Sequence, residues 1–297
     1  MNTTQFEKVR TGRGFFAALD QSGGSTPKAL AEYGIEPDRY SNDTEMFDLV
    51  HAMRTRVITN PAFDGTRVIA AILFLQTMQR TIEGVPSAQY LWETKNVVPF
   101  LKVDLGLADE QDDVQLMKPI TTLDDQLAQA NQYGIFGTKM RSVIKDASET
   151  GIAAIVEQQF GYADRIRAAG LVPILEPEVS ITSPHKEHAE ELLNDAIRKH
   201  VDALPADAMI MVKVSIPTRP GLYADLASDP RVLRVLALSG GYSRDEACAL
   251  LVHDHAMIAS FSRALLEGLT DGQTDEQFNA QLGASIAQIY QASVDKK

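Results

Sequence analysis

Lys213 is the one charge in Ala208-Met209-Ile210-Met211-Val212-Lys213-Val214-Ser215-Ile216, a run that otherwise reads as a fully buried β-strand. An isolated ammonium in an apolar interior costs several kcal/mol, so this lysine must be paired or give up its proton, and burial lowers its pKa. A neutral lysine attacks carbonyl carbons and forms Schiff bases. The competing reading is an ammonium held by a buried carboxylate, and from this strand alone the two stand level.

Other apolar runs also end in groups that could do chemistry. They close on Asp20-Gln21-Ser22-Gly23-Gly24-Ser25, Lys102-Val103-Asp104, Lys139-Met140-Arg141, Glu176-Pro177-Glu178, Ser239-Gly240-Gly241 and Ser262-Arg263. Side chains two apart on a strand share a face, so Lys102 with Asp104, Lys139 with Arg141, and Glu176 with Glu178 can converge on one mouth. Any one pair would serve equally well as two solvated charges. Their coincidence on several strands, with Lys213 among them, points to a site whose members shift each other's pKa values.

The two Ser-Gly-Gly turns expose backbone N–H groups that can cradle a phosphate. Ser239-Gly240-Gly241 precedes a helix whose start, Ser243 with Glu246 three residues on, is a capping box, and the cap leaves the preceding loop free to bind an anion. Arg263 would add a cationic fork. Ser22-Gly23-Gly24-Ser25 offers a second loop, and two anion sites suggest a bisphosphate.

Eight short apolar runs begin near positions 14, 68, 97, 134, 171, 208, 232 and 257. Segments of helical period lie between most of them, among them 43–58, 122–133, 149–170 and 186–201. Strands alternating with helices imply a parallel sheet, and eight such units predict an α/β chain folded as a (β/α)8 TIM barrel. Catalytic groups of such barrels come from the carboxyl ends of the strands, and phosphate sites favour the loops after the seventh and eighth. No Pro-rich or Gly/Ser-rich linker divides the chain, so residues 1–297 are read as a single barrel domain. The segment TDEQFNAQLGASIAQIYQAS, residues 274–293, has apolar positions at helical spacing and reads as a C-terminal helical tail packed on the barrel exterior.

With 40 acidic against 28 basic residues, the formal charge of −12 disfavours nucleic acid and anionic membranes as partners, and an anionic substrate needs a locally basic site. The N-terminal segment has no apolar signal-peptide core, and no uncharged run approaches the roughly 20 residues that span a bilayer, so a cytoplasmic location is expected. The single cysteine, Cys248, excludes an internal disulfide and reads as a small core residue. None of His51, His185, His188, His200, His253 and His255 ends an expected strand, and His253-Asp254-His255 reads as a solvated connection; no metal and no cofactor are expected.

Taken together, these residues resemble the metal-independent class I fructose-bisphosphate aldolases, in particular their short bacterial branch. The resemblance is carried by FLKVD at 100–104, LVPILEPEV at 171–179, LSGGYSRDEA at 238–247 and ASFSRAL at 259–265, and it extends from Leu19-Asp20 to Arg263. It implies a lyase of glycolysis and gluconeogenesis that reversibly cleaves fructose 1,6-bisphosphate into dihydroxyacetone phosphate and glyceraldehyde 3-phosphate. In that family's pattern Lys213 matches the Schiff-base lysine and Glu176 the general acid/base, with Glu178 as the neighbouring carboxylate. Asp20 resembles the acid near the C4 hydroxyl, and Lys139 the lysine that helps dehydrate the carbinolamine. Lys102 and Arg141 resemble the basic lining. Ser239, Gly240 and Arg263 match the C1-phosphate site, with Gly241 and Ser260 in the same substrate-binding set, and Ser22 and Ser25 resemble contacts to the distal phosphate.

On this reading a protonated iminium at Lys213 is the electron sink that replaces a metal, and the charge of Lys139 helps keep Lys213 neutral before attack. The chain departs from the animal enzymes in three places. Gln21 stands where they carry an acidic residue, Met140 where they carry tryptophan, and the sequence ends in Ser293-Val294-Asp295-Lys296-Lys297 without their terminal tyrosine. Proton exchange at the product then falls to Glu176 or a water. The partners implied are a sugar bisphosphate and triose phosphates, and a homo-oligomer is left open. A Schiff-base lyase acting on the C4 epimer, tagatose 1,6-bisphosphate, and a catalytically silent sugar-phosphate binder are the alternatives.

Overall fold

Short runs of β-branched, aromatic and small apolar residues form eight strands: β1 (Phe15–Leu19), β2 (Val68–Leu73), β3 (Val98–Lys102), β4 (Gly137–Ile144), β5 (Val172–Val179), β6 (Ile210–Ser215), β7 (Val232–Leu238) and β8 (Met257–Phe261). They come from a computed structural model that describes residues 2–22 and 26–297. All eight pair in parallel, in the order β3-β2-β1-β8-β7-β6-β5-β4, and a further β3–β4 pairing closes the ring into the expected (β/α)8 barrel.

The alternation of side chains along each strand decides where the polar groups go. Ala18, Phe100, Ile174, Met211 and Ile258 belong to the apolar cluster that fills the barrel interior, where the Phe16 and Phe100 rings stand 5.5 Å apart. Two residues further along the same strands, on the same inward face, come Asp20, Lys102, Glu176, Lys213 and Ser260. The lower barrel is therefore an apolar plug and its upper rim a ring of functional groups. Opposite faces of the strands join the larger cluster beneath the helices.

Helix α1 (Thr3–Thr11) closes the amino-terminal end of the barrel: Asn2 caps its start, Val9 packs into the interior cluster, and Arg234 binds the carbonyls of Val9 and Gly12 at its exit. The outer elements include α2 (Thr26–Glu32), α3 (Asp43–Thr59), α4 (Leu75–Met78), α5 (Leu123–Gln132), α6 (Glu149–Ala168), α7 (Lys186–Asp202), α8 (Arg244–Leu251), α9 (Arg263–Leu266) and α10 (Asp275–Val294). Both halves of the capping box expected at Ser243 and Glu246 form at the start of α8. α10 is the expected C-terminal helix, and the Ser293 hydroxyl accepts the backbone N–H of Ala259, which fixes it to β8.

The fourth and fifth strands extend further than expected: the fifth runs through Val179, so Glu176 and Glu178 lie within it rather than beyond its end. The fourth strand begins at Gly137 rather than Gly134 and continues through Ile144, so Lys139 and Arg141 lie within the strand and not beyond its end. Gly134, with φ at 69°, belongs to the turn that leaves α5. Gly137 must be glycine, because a Cβ there would stand 2.2 Å from the Val172 carbonyl oxygen and 2.6 Å from the Phe100 ring. Cys248 is buried in the core, and burial pushes its thiol up to about 11, so it carries no thiolate at neutral pH. No helix among the described residues is long and apolar enough to cross a membrane.

Candidate active site

At the carboxyl end of the barrel the strands bring their charges into one alternating network. Lys139 Nζ, from β4, lies 2.6 Å from Asp20 Oδ2 at the end of β1 and 2.9 Å from Glu176 Oε2 on β5. The other oxygen of Glu176 is 2.8 Å from Lys213 Nζ on β6. Asp104, just past β3, accepts from Lys102 Nζ at 2.6 Å and stands 3.8 Å from Lys139. Pairing of β3 with β4 sets Lys102 beside Lys139, and pairing of β4 with β5 sets Arg141 beside Glu176, which is why these groups meet at one level.

Every member of this network is buried, so each charge depends on its neighbours. Burial alone would raise the pKa of Asp20; Lys139, then Lys213 and Lys102, pull it down to about 2. Glu176 follows the same logic, with burial opposed by Lys139 and Lys213, and ends below its ordinary value. Burial works against the charge of Lys139, but Asp20, Glu176 and Asp104 overcome it and hold the ammonium well above the usual lysine range. At Lys102 burial prevails over Asp104, and the pKa falls. The site thus presents two ionised carboxylates, Asp20 and Glu176, locked by one permanent cation.

These contacts revise the expected pairings. Glu176 stands between the two ammonium groups, one on each oxygen, so Lys139 bears on Lys213 through a shared carboxylate. Glu178 does not join that pair; it binds Arg141 Nε at 2.6 Å, and the Arg141 backbone N–H donates to Asp104 at 3.2 Å. Burial opposes the Arg141 charge, but Glu178 raises its pKa above the usual range. Lys102 and Arg141 are accordingly a neutralised lining rather than free cations. Arg263, by contrast, is exposed and makes no ion pair with any described residue.

A cavity of about 680 Å³ opens over the network. Its walls include Asp20, Ser22, Lys102, Lys139, Arg141, Glu176, Glu178, Lys213, Ser239, Gly240, Ser260 and Arg263. Gly241 faces an adjoining cavity that shares Arg263, and Ser25 lies outside the described residues. Two buried oxygens of wall residues lack an aligned hydrogen bond, the Ser260 hydroxyl and Glu176 Oε2, whose contact with Lys139 is an ion pair only.

The Ser239 loop is built for close approach: the Tyr242 N–H closes a turn onto the Ser239 carbonyl, and Gly240 and Gly241 take φ of 63° and 122°. A Cβ on Gly240 would stand 2.7 Å from Ile181.

Several wall residues carried no role in the sequence reading. Asp104 shares the face of Lys102 by its spacing, which was the available signal. Lys28, on α2 immediately after the first Ser-Gly-Gly-Ser loop, lines the outer wall, as do Gln21 and Ser262, whose side chains bond to each other at 2.7 Å across 241 residues of sequence.

A family model described as fructose-bisphosphate aldolase class-I matches residues 2–214. The class 1 fructose-bisphosphate aldolase of Synechocystis sp. is 57% identical over 293 residues, which is 99% of this chain and 98% of the relative. Among solved structures, fructose-bisphosphate aldolase from Plasmodium falciparum superposes with a TM-score of 0.77 at 19% identity, covering 99% of this chain and 94% of that one. A Corynebacterium glutamicum protein superposes with a TM-score of 0.58 at 15% identity, covering 98% and 92%. At these identities the two structures support the barrel fold alone.

Proposed function

The chain belongs to the class I fructose-bisphosphate aldolases, and from that premise we propose which of its residues carry the reversible cleavage of fructose 1,6-bisphosphate into dihydroxyacetone phosphate and glyceraldehyde 3-phosphate. Lys213 is the nucleophile. Its proton passes to Glu176 Oε1 across the 2.8 Å contact, which leaves a neutral amine to attack the C2 ketone. Protonated Glu176 then returns the proton to the C2 oxygen of the carbinolamine, water leaves, and a protonated iminium remains on Lys213.

Asp20, held ionised by Lys139, takes the C4 hydroxyl proton. The C3–C4 bond breaks, glyceraldehyde 3-phosphate departs, and the electron pair flows into the iminium to give an enamine. Asp20 gives the C4 proton up to water, Glu176 regains one from water and protonates the enamine at C3, and hydrolysis of the resulting iminium releases dihydroxyacetone phosphate and the Lys213 amine. Lys139 keeps its proton throughout and fixes both carboxylates in place. Ser239, Gly240, Gly241, Ser260 and Arg263 receive the C1 phosphate; Ser22 and Ser25, with Lys102, Arg141 and Glu178 on the wall, serve the distal end. The 297 residues act as one barrel domain in the cytoplasm, where a lone unpaired cysteine is at home.

The observation that carries this reading is the bridging position of Glu176 between Lys213 and Lys139. Borohydride reduction in the presence of dihydroxyacetone phosphate, followed by peptide mapping, is expected to find the label on Lys213. Label on another residue, or none, overturns the assignment. Activity is expected to survive chelators; loss on EDTA with recovery on added zinc would point to a metal-dependent reaction instead.

A further inference from the structure

Arg54 sits in the middle of α3 yet is wholly buried, and none of its nitrogens forms an ion pair with a carboxylate among the described residues. A guanidinium in such a place is commonly matched by an acid. Here one terminal nitrogen binds the backbone carbonyl of Gln21, the other donates to the Thr77 hydroxyl at 2.7 Å on α4, and Nε has no partner. The anchored carbonyl is that of the residue directly after Asp20. The Gln21 side chain goes on to donate to Ser262 Oγ at 2.7 Å, one residue before Arg263. A single buried charge therefore ties together the loops that leave β1, β2 and β8. Burial pulls the Arg54 pKa down to about 10, with Asp20 offsetting part of the effect, so the guanidinium stays charged while its field reaches the Asp20 carboxylate.

An apolar side chain could fill this space, so what the guanidinium adds is the grip on the loop. β1 ends at Leu19, and Asp20 leaves the sheet with no ladder bond to hold its peptide plane. A carboxylate that must meet one hydroxyl proton loses rate steeply when displaced by an ångström. We propose that Arg54 is a positioning residue for C3–C4 cleavage: through the Gln21 carbonyl it holds the Asp20 carboxylate against Lys139, while Gln21 relays the constraint to the Ser262-Arg263 corner. This rests on the role assigned above to Asp20.

The test separates cleavage from Schiff-base formation, which does not use Asp20. Arg54→Met is expected to lower kcat for fructose 1,6-bisphosphate cleavage about tenfold or more, with KM changed less than about threefold, while borohydride still traps dihydroxyacetone phosphate on Lys213 in full. Arg54→Lys, which keeps one donor for the Gln21 carbonyl, recovers part of kcat. In an Asp20→Asn background Arg54→Met costs less than about twofold further, because the group it positions is already gone.

Equal losses in kcat and trapping, an unchanged kcat, or full additivity with Asp20→Asn would overturn the proposal. If Asp20→Asn itself leaves cleavage intact, the Asp20 role fails and the inference falls with it; if Asp20→Asn is impaired and Arg54→Met is not, only the inference falls. Should Arg54→Met not fold, Thr77→Val removes one anchor of the guanidinium, and kcat is expected to drop about threefold with trapping retained. No drop in that variant overturns the proposal equally.

Discussion

Lys213 Nζ stands 2.8 Å from Glu176 Oε1, and the other oxygen of the same carboxylate stands 2.9 Å from Lys139. The contact makes two readings of the buried lysine compatible, a lysine held by a carboxylate and the nucleophile proposed above. The carboxylate that holds the ammonium is also the nearest base that can release it. Glu176→Gln keeps the volume and removes the acceptor proposed to take the Lys213 proton. We expect kcat to fall by about 10²–10³ and the borohydride-trapping rate to fall with it. Trapping at the wild-type rate would show that Lys213 is deprotonated by another group.

Lys139 is the only cation in direct contact with Asp20 and the second on Glu176 among the described residues, and its own exposure is 2%. Replacing it by methionine leaves Asp20 without a contact ion pair among the described residues. The expected loss is roughly 3–5 kcal/mol of unfolding free energy, the range for breaking a buried pair on one side. Adding Asp20→Asn to Lys139→Met removes the orphaned charge and is expected to restore part of it. Denaturant titration of the two variants checks the order; a double variant no more stable than Lys139→Met would mean that packing, not charge, sets the loss.

The same network fixes an acid limit. Asp20 has its pKa lowered to about 2 in the folded protein, against about 3.9 for a free aspartate. A depressed carboxylate adds stability that is complete above the unfolded pKa and disappears as pH falls through the folded one. The contribution of Asp20 should therefore hold down to about pH 4 and fade between about 4 and 2, and Glu176, lowered as well, moves in the same sense. The stability gap between the wild type and Asp20→Asn is expected to be flat from pH 7 to 5 and to narrow below 4. A gap that narrows already at pH 6 contradicts the assignment.

Spacing made much of this readable in advance. The alternation that puts Asp20, Lys102, Glu176 and Lys213 two residues beyond apolar interior positions is a local property, and so is the Ser-Gly-Gly turn with its capped helix. Partners were not local. That Glu178 goes to Arg141 while Glu176 bridges two lysines depends on strand register across the barrel, which no single segment encodes. The Gln21–Ser262 bond joins the first and last strands through ring closure. Arg54 did leave a trace: it falls four residues from both Val50 and Ile58 on the buried face of α3, the same anomaly of a charge in an apolar stripe that marks Lys213. In a helix the trace is weaker, since an arginine there reads first as a solvated residue.

The Ser239-Gly240-Gly241 loop, proposed above to receive the C1 phosphate, offers the sharpest test of the distinction between binding and chemistry. Gly240 has φ at 63° and its missing Cβ would lie 2.7 Å from Ile181, so Gly240→Ala meets two obstacles, a left-handed backbone that costs about 1–2 kcal/mol and a contact that forces the loop or Ile181 to shift. Lys213, Glu176 and Asp20 are on other strands and should be undisturbed. The expected result is a KM for fructose 1,6-bisphosphate raised about tenfold or more with kcat reduced far less, since the loss is of binding that is equal in the ground and transition states. Ile181→Ala added to Gly240→Ala relieves the contact but not the backbone strain, so KM should recover in part. An unchanged KM in Gly240→Ala would remove this loop from the phosphate site and leave Arg263 and Ser260 to be tested alone.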